Sequence, residues 1–295
     1  MTAVHNDTTD LSQTVETGSG KGANDENFPV GSFLLPKHLR PHVAVFYDFA
    51  RAADDISDNP DLDPDDKIER LTLFEAGLTG AITDHPGLTK CYRARASLLD
   101  LGIGVQHGVD LLGAFKQDAI KNRYTDWADL MGYCELSANP VGRYLLDIHG
   151  EDKALYTESD ALCSALQVIN HLQDVQKDYL GMDRVYIPLD WLESANLTVE
   201  ACGQASADPA LRRVLDKCLE GVDDLLTTAK PLARHMKSKS LAMETAAIQA
   251  LAEKLTRQLW RLDPLAVRVE AKKSSFLLTA GRAAGSEWIR RLFSA

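Results

Sequence analysis

The stretch "LQVINHLQDVQKDYLGMDRVYIP", Leu166 to Pro188, decides the fold class of this chain. At 100° per residue, Gln167, Asn170, Asp174 and Asp178, together with Cys163, fall within one arc of about 80°. Leu162, Leu166, Ile169 and Leu180 flank that arc on one side, and Val168, Leu172, Val175 and Tyr179 on the other. A surface helix sets one polar face against one apolar stripe. Here a narrow acidic stripe runs between two apolar ones, which predicts a helix facing a cavity inside the protein. The cavity should receive something positive.

A second stripe stands upstream in "FYDFARAADDISD", Phe46 to Asp58. Tyr47, Arg51, Asp54 and Asp58 have spacings i, i+4, i+7 and i+11, so they share one helix face, and both stripes end in Asp-x-x-x-Asp. On a wet helix such a pair costs a few tenths of a kcal/mol and means little. Two carboxylates about 6 Å apart in a partly dry site repel by roughly 2–3 kcal/mol, and two facing pairs multiply that cost. Cations would make the arrangement stable. Oxygen ligands without His or Cys suit Mg²⁺, which keeps several waters and sits between carboxylates and substrate phosphates. The expectation is a diphosphate held by Mg²⁺ between two helices. Arg51 is placed either to fork onto the aspartates or to reach a diphosphate oxygen. Arg184 and Tyr186 follow the second stripe as a further cation and a phenol.

The rest of the chain is consistent with one all-α domain. With 45% hydrophobic residues and modest Gly and Pro, helix-type periodicity outweighs β-branched alternation. A net charge of −11 argues against nucleic acid as a partner. Five cysteines without a C-x-x-C pair suggest neither a zinc site nor a disulfide framework, and fit a reducing cytoplasm. No Glu-x-x-His pair supports a di-iron bundle. Residues 1–27 read as a disordered polar arm without signal-peptide features, and the catalytic domain as 28–295. No window reaches the length of a membrane span. From Lys254 onward Lys and Arg number nine against three acids, so the last helix, though solvated, is a candidate for peripheral contact with the inner face of an anionic membrane.

Helices are expected at about 41–58, 64–78 with Asp63 as cap, 86–104, 107–121, 125–148, 153–181, 208–235 and 240–260. The segment 182–207 is the longest irregular connection, a lid or rim over a site. His171, about 100° off the stripe, reads as a packing or hydrogen-bonding residue.

Taken together, "RAADDISD", "YCELSANPVG" and the opening stretch resemble the head-to-head isoprenyl diphosphate synthases, the squalene and phytoene synthase family, over about residues 28–290. Within it "ENFPVGSFLLPKHLRPHV" and "SANPVGR" are most similar to the branch that forms hydroxysqualene in bacterial hopanoid pathways. The resemblance implies the all-α isoprenoid synthase fold around a central apolar cavity. It assigns Asp54, Asp58, Asn170, Asp174 and Asp178 to Mg²⁺, two to three ions with the bound diphosphate, and Arg51 and Arg184 to the diphosphate. Gln167 would line the pocket, with Tyr47, Ser137 and Tyr186 beside the substrate and Tyr133 near the reacting carbons, where its ring face stabilises a carbocation.

Asn139-Pro140 departs from the small residues usual in squalene and phytoene synthases. Proline within a helix bends the axis, so the cavity wall should differ there. The departure favours a lyase reaction in which presqualene diphosphate and water give hydroxysqualene and diphosphate, with Asn139 or Ser137 positioning the water. The alternative is a prenyltransferase that condenses two allylic diphosphates to presqualene diphosphate, squalene or phytoene. NAD(P)H is not expected, and functional coupling to a presqualene diphosphate synthase and a downstream oxidoreductase is.

Overall fold

The computed structural model describes residues 15–16, 34–270 and 273–292. Thirteen α-helices lie within them: α1 (Arg40–Asp58), α2 (Pro64–Thr79), α3 (Thr89–Asp100), α4 (Gln106–Asp118), α5 (Trp127–Ser137), α6 (Asn139–Ile148), α7 (Tyr156–Gln173), α8 (Val175–Met182), α9 (Leu189–Ser194), α10 (Pro209–Ala229), α11 (Leu232–His235), α12 (Lys239–Leu259) and α13 (Lys273–Leu292). The arm expected at residues 1–27 and the ordered start expected near Phe28 lie outside the described residues, apart from Val15 and Glu16. Val15 is fully buried and its carbonyl accepts from Arg70, while Glu16 pairs with Lys90.

Local chemistry sets several helix starts. Asp63 accepts from the Asp66 N–H at 2.9 Å with Pro64 in the first turn, as its spacing predicts. Asp126, Asp208 and Ser238 cap α5, α10 and α12 in the same way. The Glu151 carboxylate accepts from the N–H groups of Lys237 and Ser238, which ties the start of α12 to the connection before α7.

Three expected helices are broken, the run expected at 208–235 dividing at Lys230 and Pro231 into α10 and α11. The run expected at 125–148 divides at Ala138, whose φ of −121° and ψ of −46° leave helical geometry, so Pro140 falls in the first turn of α6. There its missing N–H costs nothing. The run expected at 153–181 divides at Asp174, with φ −108° and ψ 13°. The connection 182–207 carries α9 and a 3₁₀ turn at Val199–Gly203, so it is less irregular than its composition suggests.

Burial separates into two apolar clusters. One gathers α1 to α4 around Phe49, Phe74, Leu71 and Leu112, and Tyr144 of α6 joins it by stacking on Phe46 at 4.1 Å. The other gathers α5, α7, α10 and α12 around Leu130, Ile169, Val222 and Ala252. Helix α6 contributes to both, with Tyr144 on one side and Leu146 on the other. A cavity opens between them.

Candidate active site

Helix α1 is continuous, so Tyr47, Arg51, Asp54 and Asp58 share one face. The Arg51 guanidinium donates to Asp54 at 2.8 Å and to Asp55, which lies off the stripe, at 2.7 Å. The second stripe is not one helix. Cys163, Gln167 and Asn170 belong to α7 and Asp178 to α8, with Asp174 at the joint, although the Asp178 N–H still donates to the Asp174 carbonyl. One flank reading fails here: Leu180, expected among the apolar neighbours, is 66% exposed, because the joint re-aims α8.

Arg184 links the stripes. Asp183 ends α8 in the left-handed region at φ 51°, and the chain then runs beside residues 122–124. The Val185 N–H donates to the Asn122 carbonyl and the Leu189 N–H to that of Tyr124, both at 2.9 Å. This tether fixes Arg184, which is 7% exposed. Its guanidinium donates to Asp58 Oδ1 at 2.7 Å and to the Asp118 carbonyl at 3.2 Å. Residues 126 positions apart thereby meet.

Aromatic rings back this contact. Tyr186 stacks on His171, centroids 3.4 Å apart, and Tyr133 lies 5.7 Å from Tyr186. The Tyr133 hydroxyl donates to Asp118 Oδ2 at 2.9 Å. Asp118, the last residue of α4, is buried, and sequence reasoning missed it. No periodic partner marks it, and only the packing of α4 against α5 brings it to Tyr133. His171 is held neutral, its pKa lowered to about 3 by burial and by Arg184, so its Nε2 can accept from the Gln167 amide at 3.2 Å.

Negative charge is in excess around Arg51 and Arg184. Burial and the Asp58 charge push Asp54 up to about 7, even though 32% of its side chain is open to water. Burial pushes Asp118 to about 7 against the pull of Arg184. Asp178 also rises to about 7, through burial and then the charge of Asp174. Asp58 and Asp174 are each about one third exposed, at 34% and 31%. Among the described residues no three His, Cys, Asp or Glu side chains gather closely enough to enclose an ion alone. An oxygen-only set with surplus charge and too few close ligands fits Mg²⁺ completing its shell with water and substrate phosphate.

Beyond the carboxylates lies a cavity of about 340 Å³ between α1, α5, α6, α7, α11 and α12. Phe46, Tyr144, Leu145, Leu162, Leu166 and Ile248 make most of its wall apolar. Tyr47 and Gln167, the cavity ends of the two stripes, line it too, as do Cys163 and Ser137. Each stripe therefore starts in the hydrocarbon-like chamber and ends in the acidic cluster. Asn139 and Tyr133 are not among its lining residues. The Asn139 amide oxygen accepts from Ser164 Oγ at 3.0 Å, whereas Ser137 Oγ has no hydrogen-bond partner among the described residues.

A helical shell around an apolar chamber with carboxylates at one end is the all-α isoprenoid synthase fold, and the solved squalene synthase HpnC of Alicyclobacillus acidocaldarius shares it. That structure superposes with a TM-score of 0.67 at 29% identity, covering 78% of this chain and 88% of that one. The chain matches the squalene/phytoene synthase family over residues 22–276 and belongs to it. It is similar to the hydroxysqualene synthase of Rhodopseudomonas palustris, 43% identical over 94% of each chain, and to that of Zymomonas mobilis, 42% identical over 90% of each.

Proposed function

We propose that this enzyme converts presqualene diphosphate and water to hydroxysqualene and diphosphate with the help of Mg²⁺. The observation that carries the reading is the shared course of the two stripes, from Tyr47 and Gln167 in the apolar chamber to the carboxylates outside it. An amphiphile with a long hydrocarbon body and a polyanionic head matches that gradient.

Asp54 and Asp58 of α1, with Asn170, Asp174 and Asp178, are the residues that would hold Mg²⁺. The ion supplies positive charge against the anionic head and leaving group. Arg51 and Arg184 add fixed guanidinium donors at the same end, preorganised by their aspartate partners. Tyr133, through Asp118, and Tyr186, through His171, form the packed wall behind Arg184 and keep that donor in place. The apolar wall delays capture of the carbocation by bulk water. Of the two residues proposed for the quenching water, Ser137 stands in the chamber wall with a buried hydroxyl that has no hydrogen-bond partner among the described residues, while Asn139 supports the α5–α6 joint through Ser164. The similarity to the two hydroxysqualene synthases supports this reaction over condensation. Such an enzyme stands between a presqualene diphosphate synthase and an oxidoreductase that removes the hydroxyl.

The test is product analysis by mass after incubation with presqualene diphosphate and Mg²⁺, with and without a nicotinamide cofactor. A hydroxylated thirty-carbon product independent of the cofactor is expected. Product from farnesyl diphosphate alone would instead establish a condensing synthase.

A further inference from the structure

Helix α13 carries a second apolar face. Leu277, Leu278, Trp288, Ile289 and Leu292 are 70%, 55%, 51%, 52% and 52% exposed. At 100° per residue these five fall within an arc of about 120°. Gly281 and Gly285 sit in the same arc, and a Cβ at either would meet nothing within 4 Å. The packed side of the helix is marked by buried Ala284 and Glu287. Exposed large apolar residues are ordinary when scattered, but a contiguous stripe marks a docking surface.

Charge selects the occupant. The segment from Lys254 onward holds nine Lys and Arg against three acids in a chain of net charge −11. Exposed Arg282 borders the stripe, and exposed Arg257 and Arg261 lie at the end of α12 that packs by Leu277 and Leu278, as the contact of Lys254 with Thr279 shows. A second copy docking through the same stripe would set these basic segments against each other. An anionic lipid surface complements both the charge and the apolar stripe. No helix among the described residues is long and apolar enough to cross a membrane, so the contact is interfacial.

We propose that α13 is an interfacial helix that seats the enzyme on an anionic bilayer. Arg291 donates to the carbonyls of Ala233 and Met236 at 2.6 and 2.8 Å, and Met236 lines the chamber. The end of α13 that carries Trp288 and Leu292 is thus latched, through its packed side, to a segment of the chamber wall. The surface itself is independent of which isoprenoid reaction occurs.

The test is sedimentation of the full chain with vesicles of phosphatidylcholine alone and of equal parts phosphatidylcholine and phosphatidylglycerol. Binding is expected to the anionic vesicles, weakened by salt. It should fall about tenfold or more in a variant combining Leu277→Ser, Trp288→Ser and Ile289→Ser, with the melting temperature kept. If that variant does not fold, Arg282→Glu, which spares the stripe, should weaken binding by itself. Absence of vesicle binding by the parent chain, or equal binding by these variants, overturns the proposal. So does self-association of the parent chain that the triple substitution abolishes, which assigns the stripe to a second copy.

Discussion

Replacing Arg184 by methionine separates the two roles of its guanidinium while keeping an aliphatic stem. Two unit charges about 4 Å apart attract by roughly 4 kcal/mol at an effective dielectric near 20. Arg184 is buried, but 34% of the Asp58 side chain is exposed, so water screens part of that attraction. Desolvation of the guanidinium offsets more of it, leaving a net loss of about 1–3 kcal/mol. In a chain of this size the melting temperature should fall by about 3–8 °C. The turnover number should fall by about 10²–10³-fold if the guanidinium also faces the developing diphosphate charge. A cycle with Asp58→Asn, itself a proposed metal ligand, decides between strut and donor, because a pure strut for Asp58 makes the double variant no slower than Asp58→Asn alone. A direct donor makes the double variant slower than Asp58→Asn alone. The reasoning is refuted if Arg184→Met melts within about 1 °C of the parent and keeps kcat/KM within about threefold.

Gly142→Ala should destabilise by about 1–3 kcal/mol in denaturant titration, because its Cβ would stand 2.4 Å from Ser159 Oγ and 2.6 Å from Cys163 Sγ where α6 crosses α7. Ser137→Ala should leave diphosphate release within a few-fold while lowering the hydroxylated share of product by about tenfold, read by mass analysis. For Asp118, the folded pKa of about 7 exceeds the unfolded value near 4, so the folded state holds a proton the unfolded chain has lost. Its contribution to stability is present below about pH 4 and disappears as pH rises through 7. Asp118→Asn should therefore flatten the decline in melting temperature between pH 5 and pH 8, measured in metal-free buffer.

The all-α class and both polar stripes were legible because helix periodicity is a local property. Three and four residues of spacing decide which side chains share a face, so Tyr47, Arg51, Asp54 and Asp58 group together on spacing alone. The same reasoning assumed one unbroken helix through Leu180. It failed at Asp174, where tertiary packing breaks the axis and sends Leu180 to solvent. The departure of Asn139-Pro140 from the family pattern pointed to Asn139, or a neighbouring hydroxyl such as Ser137, beside the water. Only the bend at Ala138 gave the Asn139 amide to Ser164 and left the Ser137 hydroxyl buried without a partner among the described residues. Asp118 had no sequence signal, since its meaning comes from Tyr133 on α5 and Arg184 beyond α8. The sequence by itself determined which residues carry charge along each helix. The tertiary structure decided which of those charges meet, because contacts such as Arg184 with Asp58 form between segments whose relative placement depends on packing the whole core.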